Sequence, residues 1–155
     1  SFISEIEKGE NEHTEFKSTL RVCLKENQNK GYITDACMKT IAGFMNSEGG
    51  TLFIGVGDEG NIIGIEADKF QNQDKFLLFL KDKIGNEIGK EYSPYWKTQI
   101  HKYESKTICE VIIKKSEKPA YLGKSGDFFI RHGPSSEKLS NRQTVDYIKH
   151  RFPNF

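Results

Sequence analysis

Few cysteines, few prolines and no long apolar run mark this sequence, and each shortage closes off a class. Its three cysteines, Cys23, Cys37 and Cys109, are odd in number and share no metal-type spacing. A disulfide framework is excluded as the organising principle, and a reducing cytoplasm is the expected compartment. Four prolines, with no repeats, exclude a low-complexity chain. No apolar run approaches the ~20 residues that a membrane helix needs, so no membrane role is expected. The start, "SFISEIEKGE", is acidic and lacks the apolar core of a secretory signal. It also lacks a Met, so the chain is expected to be one domain of a larger protein. The net charge of +1 excludes a uniformly basic nucleic-acid binder.

What is present suits one polar globular domain of 155 residues, 35% of them hydrophobic. Charge is unevenly spread. Residues 1–96 carry 11 basic and 16 acidic side chains, and residues 97–155 carry 12 and 6. An acidic site beside a basic surface suits metal-dependent phosphodiester chemistry. Spacing predicts helices over 2–8, 34–46, 72–89 and 140–152, the second capped by Thr34 or Asp35 and the last by Ser140. Strands are predicted over 13–20 and 127–133, with a hairpin over 95–115 turning near Glu104 to Lys106. Residues 23–32 read as a loop. The order suggests an α+β domain with a mixed β-sheet.

The stretch "TLFIGVGDEGNIIGIE" (51–66) contains G-x-G-x-x-G after an apolar run. A dinucleotide loop must open a helix whose N-terminus holds the pyrophosphate. "NIIGIE" is β-branched and broken by Gly64, so it opens no helix. "DEGN" is a turn signal, and the stretch reads as a β-hairpin.

Three segments together resemble the Schlafen/AlbA-2 domain family. They are "GENEHTEFK" (9–17), "IAGFMNSEGGTLFIGVGDEGNIIGIE" (41–66) and "DFFIRHGPSSEKLS" (127–140). Departures are small: Gly43 stands where Ala is usual, and Pro134 interrupts the late serine segment. The resemblance implies a nucleic-acid-binding domain. Some Schlafen members are metal-dependent endoribonucleases acting on structured RNA such as tRNA. It implies Glu10, Glu15 and Asp58 as catalytic carboxylates and as ligands of Mg²⁺ or Mn²⁺. RNA is expected ahead of DNA as partner, with a homodimer and further domains in the full-length protein also expected. The alternatives are a non-catalytic DNA- or RNA-binding module of a transcriptional regulator or defence protein, and a protein-interaction or oligomerisation domain.

Glu10 and Glu15 lie five residues apart. On a straight strand they point to opposite faces, and on a helix they stand about 140° apart. A turn after Gly9 would bring them together. Three oxygen donors suit Mg²⁺ or Mn²⁺ rather than Zn²⁺. On residue type alone Glu10, Glu12 and Glu15 also read as solvated acids, and Glu12 competes with Glu10 for the ligand role. Candidate nucleic-acid contacts are Lys17, Lys114, Lys115, Lys118, Lys124 and Arg131, with hydroxyls from Ser135 or Ser136.

Overall fold

The apolar run of the middle segment becomes the second strand of the main sheet. In the computed structural model, which describes residues 1–155, β1 (Thr14–Lys17) runs parallel to β4 (Gly50–Ile54). β4 pairs antiparallel with β6 (Lys106–Ile113), and β6 with β5 (Trp96–Tyr103). The sheet is therefore mixed, in the order β1-β4-β6-β5. Two short ribbons flank it: β2 (Val22–Cys23) with β3 (Gln28–Asn29), and β7 (Phe129–His132) with β8 (Ser135–Lys138). The helices are α1 (Phe2–Glu7), α2 (Gly31–Asn46), α3 (Gln73–Ile84) and α4 (Asn141–Arg151). The architecture is the expected α+β class.

Alternation along the strands assigns the two faces. Leu52 and Ile54 pack with α2 and α3 in the larger core, beside Ile41, Phe44, Met45, Phe76 and Leu80. Phe16, Phe53 and Ile108 face the other way and are covered by Ile6 of α1 and by Val56. In register, Glu15 lies beside Leu52 and Lys17 beside Ile54. Residues in register share a face. Glu15 and Lys17 thus lie at the sheet edge on the α2 side, while Phe16 is buried beneath α1.

Several boundaries differ from the sequence reading, each for a local reason. α2 starts at Gly31, and no side chain caps it. The Thr34 hydroxyl instead donates to the Leu20 carbonyl at 2.9 Å. The stretch 51–66 turns as expected at Gly57–Gly60 and opens no helix at the glycines. Its second limb forms one bridge, Val56 with Ile62, rather than a strand. Gly64, at φ 89°, then diverts the chain into a short helical turn, Ile65–Asp68. Buried Asp68 anchors that turn by accepting the backbone N–H groups of Leu20, Arg21 and Val22 at 2.7–3.0 Å.

The link from α2 to β4 needs glycine at Gly49. Its φ is +78°, and a Cβ there would lie 2.7 Å from the Ile113 carbonyl oxygen. Gly49→Ala is expected to cost about 1–3 kcal/mol through strain and overlap. Gly126→Ala, at φ +69° with nothing within 4 Å, should cost only about 1 kcal/mol. Urea midpoints of the two variants test this, and equal midpoints would contradict it.

Candidate active site

The turn after α1 solves the five-residue problem. Gly9, at φ 83°, lets the chain leave the helix. The Asn11 N–H then donates to Thr14 O at 3.0 Å, and the Thr14 N–H to Asn11 O at 3.3 Å. This makes a tight hairpin around Glu12 and His13, and the Asn11 side chain accepts the His13 N–H at 2.8 Å. One step further along that register sets Glu10 against Glu15. Opposed residues of antiparallel strands share a face, with Cβ atoms about 4.5–5.5 Å apart. Glu12 occupies the hairpin tip, off the register that opposes Glu10 to Glu15, and is exposed.

Each carboxylate has a different setting. Glu10 Oε2 accepts the Phe16 N–H at 2.9 Å. Glu15 Oε1 accepts from Arg131 Nη1 at 2.5 Å, and Lys17 Nζ lies 3.6 Å from its Oε2. Asp58 is exposed on the Gly57–Gly60 turn and makes no hydrogen bond or ion pair. Burial is the main cause that lifts the Glu10 carboxyl from its ordinary 4.5 to about 7. Hydrogen bonding with Glu15 and repulsion from Glu15 and Asp58 add to it, and the Phe16 N–H opposes it. The three acids therefore sense one another. They do not form a ready-made cage, since no three His, Cys, Asp or Glu side chains stand close enough to hold a metal ion.

The Glu10 shift predicts a pH dependence. The folded protein holds this proton more tightly than the unfolded chain does. Its contribution to stability is complete below about pH 4.5 and is lost as pH rises through about 7. Discounted for solvent screening, the loss is on the order of 1 kcal/mol. Glu10→Gln should flatten the decline in a urea series from pH 5 to 8. An unchanged slope would show that Glu10 is not crowded.

Arg131 occupies a different environment from the one the sequence suggested. Its side chain is 1% exposed. Besides Glu15, it donates to the Asn11 and Thr14 carbonyls at 2.8 and 3.1 Å, and its guanidinium lies 4.8 Å from the Phe44 ring centroid. It is a strut behind Glu15 rather than a free surface cation. The other candidate lysines do not gather round the acids. Lys114 and Lys115 follow β6, with Lys115 paired to Glu48 at 3.3 Å. Lys118 lies over the Tyr92 ring at 4.9 Å, and Lys124 is exposed in the loop before β7. Lys17 alone of that set adjoins the carboxylates. Lys39, on the exposed side of α2, was not singled out by the sequence reading, yet it lines the cleft beside Glu15. A lone lysine on a helix carries no local signal of such a position.

A family model described as Schlafen, AlbA_2 matches residues 10–140. None of the curated proteins matches the chain in sequence. The crystal structure of the DIP2311 protein from Corynebacterium diphtheriae superposes with a TM-score of 0.64 at 18% identity. The match covers 90% of this chain and 24% of that one, so this chain spans about a quarter of that protein. The solution structure of the N-terminal domain of a RecG-related protein from Nitrosomonas europaea matches at TM-score 0.45 and 18% identity. That match covers 83% of this chain and 82% of that one. At such identities the crystal-structure match establishes the fold alone.

Proposed function

The chain belongs to the Schlafen AlbA_2 family, and on that premise we propose that it is a nucleic-acid-binding domain with metal-dependent endoribonuclease activity. Structured RNA such as tRNA is the proposed substrate, and Glu10, Glu15 and Asp58 the working carboxylates. The observation that carries this reading is the hairpin that opposes Glu10 to Glu15, with Asp58 near enough to add its repulsion. Crowded carboxylates of this kind are relieved by a hard divalent cation, and an all-oxygen donor set would suit Mg²⁺ or Mn²⁺ once the three side chains draw closer together than they stand here. Held by these carboxylates, such a cation would supply stabilisation of charge on a phosphoryl group and activation of water. Glu10, whose carboxyl is raised to about 7, would have to lose its proton to serve as a ligand. Arg131 holds one oxygen of Glu15 in place, and Lys17 offsets charge at the other. Asp58, exposed on its turn, would supply the third carboxylate.

The test is incubation with tRNA and with single-stranded DNA, each in Mn²⁺, Mg²⁺ or EDTA. Cleavage of tRNA in either metal and none in EDTA is expected. Cleavage that persists in EDTA overturns the mechanism. A second reading, binding without cleavage, is favoured by the prior engagement of Glu15 with Arg131. It predicts a shifted but intact tRNA band in every condition.

A further inference from the structure

We propose that the cleft between β1, α2 and the β7–β8 hairpin is a subsite for a backbone phosphate of a single nucleic-acid strand. Lys17 and Lys39 are its cations, and Ser135 and Ser136 its hydroxyl donors. This rests on the nucleic-acid reading above and adds the residues that would seat the strand beside the acids. The cleft has a volume of about 270 Å³. At about 30 Å³ per water molecule, it admits a phosphodiester and its hydration. Glu15 lies at its edge, so the cleft and the acidic cluster are continuous.

Three features point to an anion. Lys39 is exposed, with its ammonium 5.6 Å from the Phe129 ring centroid, and pairs with no carboxylate. Glu15, the one acid lining the cleft, is already bonded to Arg131 and lies beside Lys17, so positive charge dominates. Ser136 lines the cleft, and its Oγ is turned inward, buried without a hydrogen-bond partner, so a rotation about χ1 would present the hydroxyl to a ligand in the cleft. An unpartnered buried hydroxyl costs free energy that a ligand oxygen can offset. The hairpin is pressed close on α2: a Cβ at Gly43 would lie 3.3 Å from Ser136 Oγ. Ammonium and hydroxyl donors on different elements match a tetrahedral group with several acceptor oxygens.

The experiment uses a labelled single-stranded oligouridylate in EDTA, where no metal acts and cleavage is not read. Wild type is expected to bind with an affinity that falls with salt. Lys39→Glu should weaken binding about 10-fold at low salt and lower the salt slope by about 0.7, the value for one phosphate contact on a single strand. Ser136→Ala should weaken it up to about 10-fold with the slope unchanged. Melting curves check that both variants fold. Wild-type affinity and slope in folded Lys39→Glu overturn the subsite. Displacement of the oligonucleotide by millimolar inorganic phosphate, beyond the effect of its ionic strength, overturns the strand in favour of free phosphate. No binding by wild type overturns both the subsite and the nucleic-acid reading beneath it. Loss of cleavage alone, in the tRNA assay, leaves the subsite standing.

Discussion

Replacing Arg131 with alanine should lower the stability of the protein by about 3–5 kcal/mol. The guanidinium is 1% exposed and Glu15 is 12% exposed. Removing one partner leaves a largely buried carboxylate without its donor and takes the second of two donors from the Asn11 and Thr14 carbonyls. The cost of such a pair lies mostly in breaking it. Replacing both members by neutral groups of similar volume is often close to neutral. Arg131→Met combined with Glu15→Gln should therefore recover most of what Arg131→Met alone loses. Urea unfolding of wild type, both single variants and the double variant closes the cycle. If the losses simply add, the two side chains are not coupled and the strut does not exist. The result matters for function because the Asn11–Thr14 hairpin that opposes Glu10 to Glu15 is tied down by the same guanidinium.

That strut marks the limit of what the sequence could reveal. Arg131 and Glu15 are 116 positions apart. No periodicity or motif spacing links them, and an arginine next to "HGPSS" looks like a surface cation. Elements with strong local chemistry were legible. The β5–β6 hairpin turns at Glu104, at φ 57°, where the sequence places a polar break between alternating runs. Ser140 and Gln143 form a reciprocal cap at the start of α4. The strand β8 was missed because "SSEK" has no apolar alternation. Its pairing with β7 comes from the turn at Gly133 and from packing on α2. The strand predicted over 13–20 stops at Lys17, because the backbone of Leu20 to Val22 is drawn to Asp68, some 47 residues away.

The candidate site was legible to the extent that its geometry is local. Glu10 and Glu15 lie on a turn whose signals, Gly9 and Asn11, stand in the same segment. The lysines were harder, because a basic half of the sequence need not form a basic face. Lys114, Lys115, Lys118 and Lys124 come from that half, and the structure gives them separate neighbours. Lys17 and Lys39 come from the acidic half, yet they line one cleft with Glu15.

Asp58→Ala should leave the fold intact while reducing Mn²⁺ affinity about 100-fold and RNA cleavage about 10²- to 10³-fold. The side chain is exposed on a turn and makes no hydrogen bond, so its loss removes no packing. Its repulsion is the smallest of the causes that raise Glu10, so the metal-free protein should gain a little stability from the change. The remaining pair of glutamates offers too few oxygen donors to hold a hard cation as tightly. Binding of an oligonucleotide in EDTA should persist, since Lys17 and Lys39 are untouched. The glycines of the same turn behave in the opposite way. Gly60, at φ 87°, holds the turn in a conformation that other residues rarely adopt, so Gly60→Ala should perturb the turn itself. Were this a dinucleotide loop, the glycines would govern NAD binding and Asp58 would be replaceable. Here NAD should bind neither wild type nor variant. Calorimetry with Mn²⁺ on both proteins, beside a gel assay on tRNA, decides the matter. Equal Mn²⁺ affinity in the two would remove Asp58 from the metal site, and equal cleavage would remove it from the reaction.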